Sequence, residues 1–189
     1  VFLAVFFSAA LAISAYLMKN NPTLLERRLN AGPGAEREKS QKIIQILAWI
    51  VFAAAIIFPA IDHRLAWSAV PPLVSIAGDS LVALGYWIVF LVFRENTFSS
   101  ATIEVQSGQT VVSSGPYALV RHPMYAGALL LLLGVPLALG SWWGLFTVVP
   151  IALVLAWRLL AEEQFLSTNL PGYSEYRSHV RYRLVPWVW

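Results

Sequence analysis

The chain has 189 residues, 58% of them hydrophobic and only 12% charged, with a mean hydropathy of +0.66 and a formal net charge of +3. A soluble domain carries about twice that share of charge, so the composition excludes a soluble enzyme and points to an integral membrane protein without a nucleic-acid partner. The absence of cysteine excludes disulfides, thiolate metal sites and a cysteine nucleophile.

Five apolar runs approach the roughly 20 residues that cross a bilayer, near 1–17, 43–61, 70–93, 123–139 and 142–161. The first lacks a preceding basic stretch and is long for a leader, so it reads as a span. After it, the segment 19–42 mixes leucines and basic residues before a Gly-Pro-Gly break, and predicts an interfacial helix over 23–30 with Thr23 as N-cap and Glu26 closing a capping box. The short DHRLAW turn makes spans two and three antiparallel neighbours, and Pro71-Pro72 opens the third. Asp79 lies inside that span, where an ionisable residue is costly and is either functional or paired within the bundle.

Residues 94–115 alternate polar and β-branched residues about Ser107-Gly108 and predict an extended or hairpin-like loop, with Asn96 placed to reach a site at that end of the span. The GSWWG turn makes spans four and five a tight helical hairpin with a Trp142-Trp143 pair at the interface. Beyond Ala161 the chain turns polar, broken by Pro171-Gly172. Twelve of the thirteen Lys and Arg fall on one side of this arrangement, and only Arg64 on the other. The expected orientation is N-terminus out and C-terminus cytoplasmic, in a bacterial inner membrane. The whole chain reads as one all-α membrane domain.

Two polar clusters stand at the cytoplasmic ends of the last hairpin: Arg121, His122 and Tyr125 before and within span four, and Arg158, Glu162 and Glu163 at the end of span five. An antiparallel hairpin brings both to one depth, so they can build one pocket. Proline is favoured at the first helical position and pushes the preceding residue out of the helix, which sets His122 beside the free N–H groups of a helix start. Gly127 and Gly134 share a face and permit close approach of a helix or a flat ligand. Arg158 and Glu162 can pair at i, i+4; Glu163 has no partner at helical spacing and opposes the helix dipole, which suggests a cationic ligand.

GPYALVRHPMYAG, followed about 35 residues later by RLLAEE and then by YSEYRSHVRYRLVP, resembles the membrane methyltransferases that include isoprenylcysteine carboxyl methyltransferase and phosphatidylethanolamine N-methyltransferase. The likeness covers roughly residues 81–186, so 81–189 is the expected catalytic part and 1–80 the part expected to serve structure and substrate choice. The resemblance implies S-adenosylmethionine as cofactor, with Arg121, His122, Pro123, Tyr125 and Gly127 lining its pocket and the paired acids binding its amino-acid end. A helix start suits the methionine carboxylate, Glu163 the ammonium, and Tyr117 or Tyr125 the adenine or sulfonium.

The expected acceptor is a lipophilic, membrane-embedded or lipidated molecule, with a carboxylate favoured over amine, thiol or phenol. Arg158 is then the first choice to orient it, Arg181 and Arg183 the alternatives, and Glu162 or His122 the base where a proton must leave. Membrane lipids are the surroundings; no metal and no obligate protein partner are expected. The competing reading is an NADPH-dependent sterol-type reductase. Such enzymes favour Asn before the motif tyrosine and an acid after its glycine, where this chain has Met124 and Ala128.

Overall fold

The structure, a computed structural model, describes residues 1–34, 36 and 39–189. Among these residues seven α-helices follow in order: α1 (Phe2–Asn20), α2 (Pro22–Leu29), α3 (Lys39–Leu65), α4 (Pro72–Glu95), α5 (Pro123–Ala138), α6 (Val148–Asn169) and α7 (Tyr173–His179). Among the described residues there is no strand, and the 94–115 segment is irregular rather than hairpin-like beyond the end of α4, apart from the expected turn at Ser107-Gly108. Its backbone groups turn instead to side chains: Arg158 and Gln45 reach Ala101 O, and Arg27 reaches Thr97 O.

Four helices, α1, α3, α4 and the stretch Trp143–Asn169, are long and apolar enough to cross a membrane. The fourth expected span falls short. At 16 residues, α5 is about 24 Å long, less than the roughly 30 Å hydrocarbon thickness. Pro123 fixes its start, and the chain leaves it through Gly140 at φ +75°.

Although α5 and α6 are joined by a tight turn, the intimate partner of α5 is α4. Gly85 faces Gly127 and Gly78 faces Gly134, two pairs spaced seven residues apart on antiparallel helices. A Cβ on Gly85 would lie 2.6 Å from Gly127 O, and one on Gly134 2.6 Å from Gly78 O, so the two backbones touch. Of the two roles open to Gly127, it fills the helix-packing one.

Asn21, not Thr23, caps α2: its side chain accepts from Leu24 N at 3.1 Å. Pro22 takes the first helical position, so the cap must precede it. Leu24 is fully buried and packs with Leu17 and Phe93, which pins this short helix against α1 and α4.

At the end of the bundle away from residues 121–125, Asp62 is fully buried in α3 and accepts from Ser68 Oγ at 2.6 Å and from Ser141 Oγ. Ser141 Oγ in turn accepts from Gly144 N at 2.8 Å, so one carboxylate knots α3 to the α5–α6 turn. Asp79 is also buried near that end, seven residues into α4, and faces a separate cavity.

Candidate active site

The ends of α5 and α6 meet as the hairpin argument requires. Across that junction Tyr125 donates its hydroxyl to Glu162 Oε2 at 2.6 Å, while Arg121 Nε donates to Glu163 Oε1 at 2.6 Å with His122 Nε2 3.2 Å from the same oxygen. Beside this junction lies a cavity of about 470 Å³, within the roughly 300–1,000 Å³ of small-molecule sites. It is roofed by the 96–114 loop and α7, where Tyr173 and Tyr176 pack with Leu170, Val111 and Tyr117.

Asn96, Tyr117, Arg121, His122, Pro123, Tyr125, Arg158 and Glu162 all line the cavity. Asn96 donates to Tyr117 Oη at 3.0 Å, and Tyr176 donates to Tyr117 O at 2.8 Å, which fixes that residue in the wall. Burial pushes the Tyr117 phenol up to about 12, against the lowering effect of the Asn96 hydrogen bond. The phenol is therefore a neutral group at physiological pH.

Four expected site residues stand outside the cavity wall. Gly127 is spent in the α4 seam. Glu163, expected to be unpaired, is buried at 3% exposure between three donors, the third being Arg183 Nε, 3.0 Å from Oε2. Its partners come from 42, 41 and 20 residues away along the chain, which helical spacing could not reveal. Arg183 is thus occupied by Glu163. Arg181 contributes its carbonyl, which accepts from Arg121 Nη1 at 2.8 Å.

The tail seals this knot. Arg121 N donates to Tyr182 O and His122 N to Arg183 O, both at 2.9 Å, so residues 182–183 run alongside the residues that lead into α5. Glu163 therefore holds the tail, the motif and α6 together.

Arg158 is not paired with Glu162 either. Its guanidinium donates to Glu36 Oε1 at 2.8 Å, to Gln41 Oε1 at 3.0 Å and to Ala101 O at 2.6 Å, and both Arg158 and Glu36 are buried. Gln45 completes the cluster by donating to Glu36 Oε1 at 2.7 Å. A buried carboxylate outcompetes a partly exposed one on the same helix, because desolvated charges bind most strongly to each other. Among the described residues, Glu162 is thereby left with Tyr125 alone.

The wall also includes residues that had no place in the expected site, among them Arg28 from α2 and Gln45 and Trp49 from α3. The signal for Arg28 was present, since it stands one turn after the buried Leu24 and shares its inward face. Tyr173 also lines the cavity, with its hydroxyl buried and without a hydrogen-bond partner among the described residues.

The chain is similar to known proteins. The family model for phospholipid methyltransferases matches residues 73–171, from the start of α4 to just past α6. The cobalt-zinc-cadmium resistance protein CzcN of Cupriavidus metallidurans is 32% identical over 102 residues, which cover 51% of this chain and 45% of that protein. The chain thus spans less than half the length of this curated relative. A match to more than half of its residues shows that the chain belongs to the phospholipid methyltransferase family.

Proposed function

We propose that the protein transfers a methyl group from S-adenosylmethionine to a lipophilic acceptor held in the membrane. The observation that carries this reading is the cavity onto which Tyr125 and Glu162 open at the junction of α5 and α6, within the segment matched by the family model.

The residues present fit such a cofactor. A zwitterion with an aromatic base needs an acid, a cation and flat apolar walls, and the cavity offers Glu162, Arg28 and the rings of Tyr117 and Tyr125. The buried, unpartnered Tyr173 hydroxyl is a further polar group pointing to a ligand. When bound, the cofactor supplies a methyl group activated by its sulfonium.

The protein's own contribution is placement and exclusion of water. Loop 96–114 and α7 cover the cavity, so an acceptor aligned there reacts away from bulk solvent. Tyr125 holds Glu162 through Oε2 and leaves Oε1 to take a proton from an amine or phenol acceptor; the imidazole of His122 also lines the wall, with its Nε2 beside Glu163. Arg158, matched by Glu36, positions the wall rather than binding the acceptor. Arg181 and Arg183 serve the tail in the same indirect way. Wall residues Arg28, Gln45 and Trp49 come from the N-terminal part, which supports residues 1–80 as contributors to acceptor choice.

The direct test is calorimetric titration of detergent-purified protein with S-adenosylhomocysteine and, separately, NADPH. The expected result is saturable micromolar binding of S-adenosylhomocysteine, weakened about tenfold or more by Glu162→Gln. Saturable binding of NADPH with none of S-adenosylhomocysteine overturns the reading in favour of a reductase.

A further inference from the structure

The cations around the cavity differ in one respect. Arg121 and Arg183 are matched by Glu163, and Arg158 by Glu36. Arg28 lines the same cavity and makes no ion pair or hydrogen bond among the described residues. Its guanidinium carbon lies 4.6 Å from the centre of the Phe93 ring, a cation–π contact that directs the group inward without using its N–H donors.

An arginine on an interfacial helix ordinarily extends to water or lipid headgroups. Here α2 is pinned at both ends of its buried face. Leu24 is locked against Leu17 and Phe93, and neighbouring Arg27 donates to Thr97 O at 2.8 Å and to Gln106 Oε1, tying the helix to the loop that roofs the cavity. Burial lowers the Arg28 pKa from its ordinary value, opposed by the nearby Tyr125 and Tyr117. The guanidinium still remains protonated, since arginine does not lose its proton in proteins. A half-dry cation with free donors binds an oxyanion more strongly than a solvated one.

We propose that Arg28 is the oxyanion-binding residue of this cavity, taking either the carboxylate of the cofactor's amino-acid end or the phosphate of a phospholipid acceptor. The inference rests on the methyl-transfer reading above and adds to it a cationic subsite supplied by α2, outside the segment 73–171 that the family model matches. Tyr117 lies within electrostatic reach of both Arg28 and Glu162, so the two opposite charges flank one ligand-sized space, as a zwitterion requires.

The experiment compares wild type, Arg28→Ala and Arg28→Lys, each checked for an unchanged thermal transition in detergent. Calorimetry uses S-adenosylhomocysteine and 5′-methylthioadenosine, which lacks the amino-acid end; native mass spectrometry uses phosphatidylethanolamine and diacylglycerol, which lacks the phosphate. A loss of about tenfold for S-adenosylhomocysteine with methylthioadenosine unchanged assigns Arg28 to the cofactor carboxylate. The same loss for phosphatidylethanolamine with diacylglycerol unchanged assigns it to the headgroup phosphate. In either case Arg28→Lys keeps part of the affinity. Affinities within about twofold of wild type for both oxyanion-bearing ligands overturn the proposal, as does an equal loss for each ligand and its truncated partner. A wild-type protein that fails to bind S-adenosylhomocysteine overturns the methyl-transfer reading instead, and the lipid pair still decides the role of Arg28.

Discussion

Glu163 Oε1 and Arg121 Nε are 2.6 Å apart, both side chains almost wholly buried, and this pair fastens the approach to α5 onto α6. With Arg183, about a quarter exposed at 26%, on the second oxygen, one buried carboxylate is shared by two cations. Removing one member of a buried pair typically costs about 3–5 kcal/mol, because the remaining charge is stranded. Glu163→Ala is therefore expected to lower the thermal transition of the detergent-purified protein sharply. Glu162→Gln, which removes a carboxylate bonded, among the described residues, to Tyr125 alone, is expected to leave the transition nearly in place while weakening ligand binding about tenfold or more. Equal transitions for the two variants would contradict the division between a holding acid and a working one.

Arg158 and Glu36 form the second buried pair, 122 residues apart in sequence. If the pair is a tether that closes the cavity wall, Arg158→Ala and Glu36→Ala produce the same defect, and the double variant loses less than the sum of the two. A substrate-orienting Arg158 behaves differently: its loss raises the KM for acceptor, whereas Glu36→Ala leaves the KM unchanged. The measurement is a double-variant cycle on thermal stability combined with acceptor saturation curves.

The apolar runs showed where α1, α3, α4 and α6 lie, since a membrane helix announces itself by length and hydropathy alone. The convergence of 121–125 with 158–163 was equally legible, because a short turn between antiparallel helices leaves few alternatives. What stayed hidden was which charges neutralise each other. Arg158 had a partner in view at Glu162, four residues on, and chose Glu36 from a loop before α3. Glu163 had none in view and found three. Such choices depend on burial, which local spacing does not encode. The α2 cap shows the reverse, a local error: Thr23 and Glu26 fit a capping box, yet Pro22 already occupies the first turn and hands the cap to Asn21.

The glycine seam sets the distance between α4 and α5, and therefore the position of the RHPMY segment over the cavity. Any side chain on Gly85 or Gly134 meets backbone rather than a movable group. Overpacking of this kind costs about 1–3 kcal/mol or more. Gly134→Val, remote from the cavity, is expected to lower the thermal transition and weaken S-adenosylhomocysteine binding together. Gly32→Ala, where a Cβ meets nothing within 4 Å, is expected to change the transition little. A Gly134→Val protein that melts like wild type would show that the seam tolerates separation.

The Tyr117 phenol supplies a pH signature. Its folded pKa, raised by burial to about 12, exceeds the ordinary value of 10.0, so the folded state holds the proton more tightly than the unfolded one. The stability linked to this group is complete below pH 10 and is lost as pH rises toward 12. Tyr117→Phe removes the ionisable group and should flatten that part of the alkaline decline. Asn96→Ala removes a hydrogen bond that lowers the pKa, and should extend the decline to still higher pH without changing its onset. The check is a titration of near-ultraviolet phenolate absorbance, taken as the difference between wild type and Tyr117→Phe, alongside thermal transitions across the alkaline range. A difference signal with its midpoint near pH 10 would place Tyr117 in water rather than in the cavity wall.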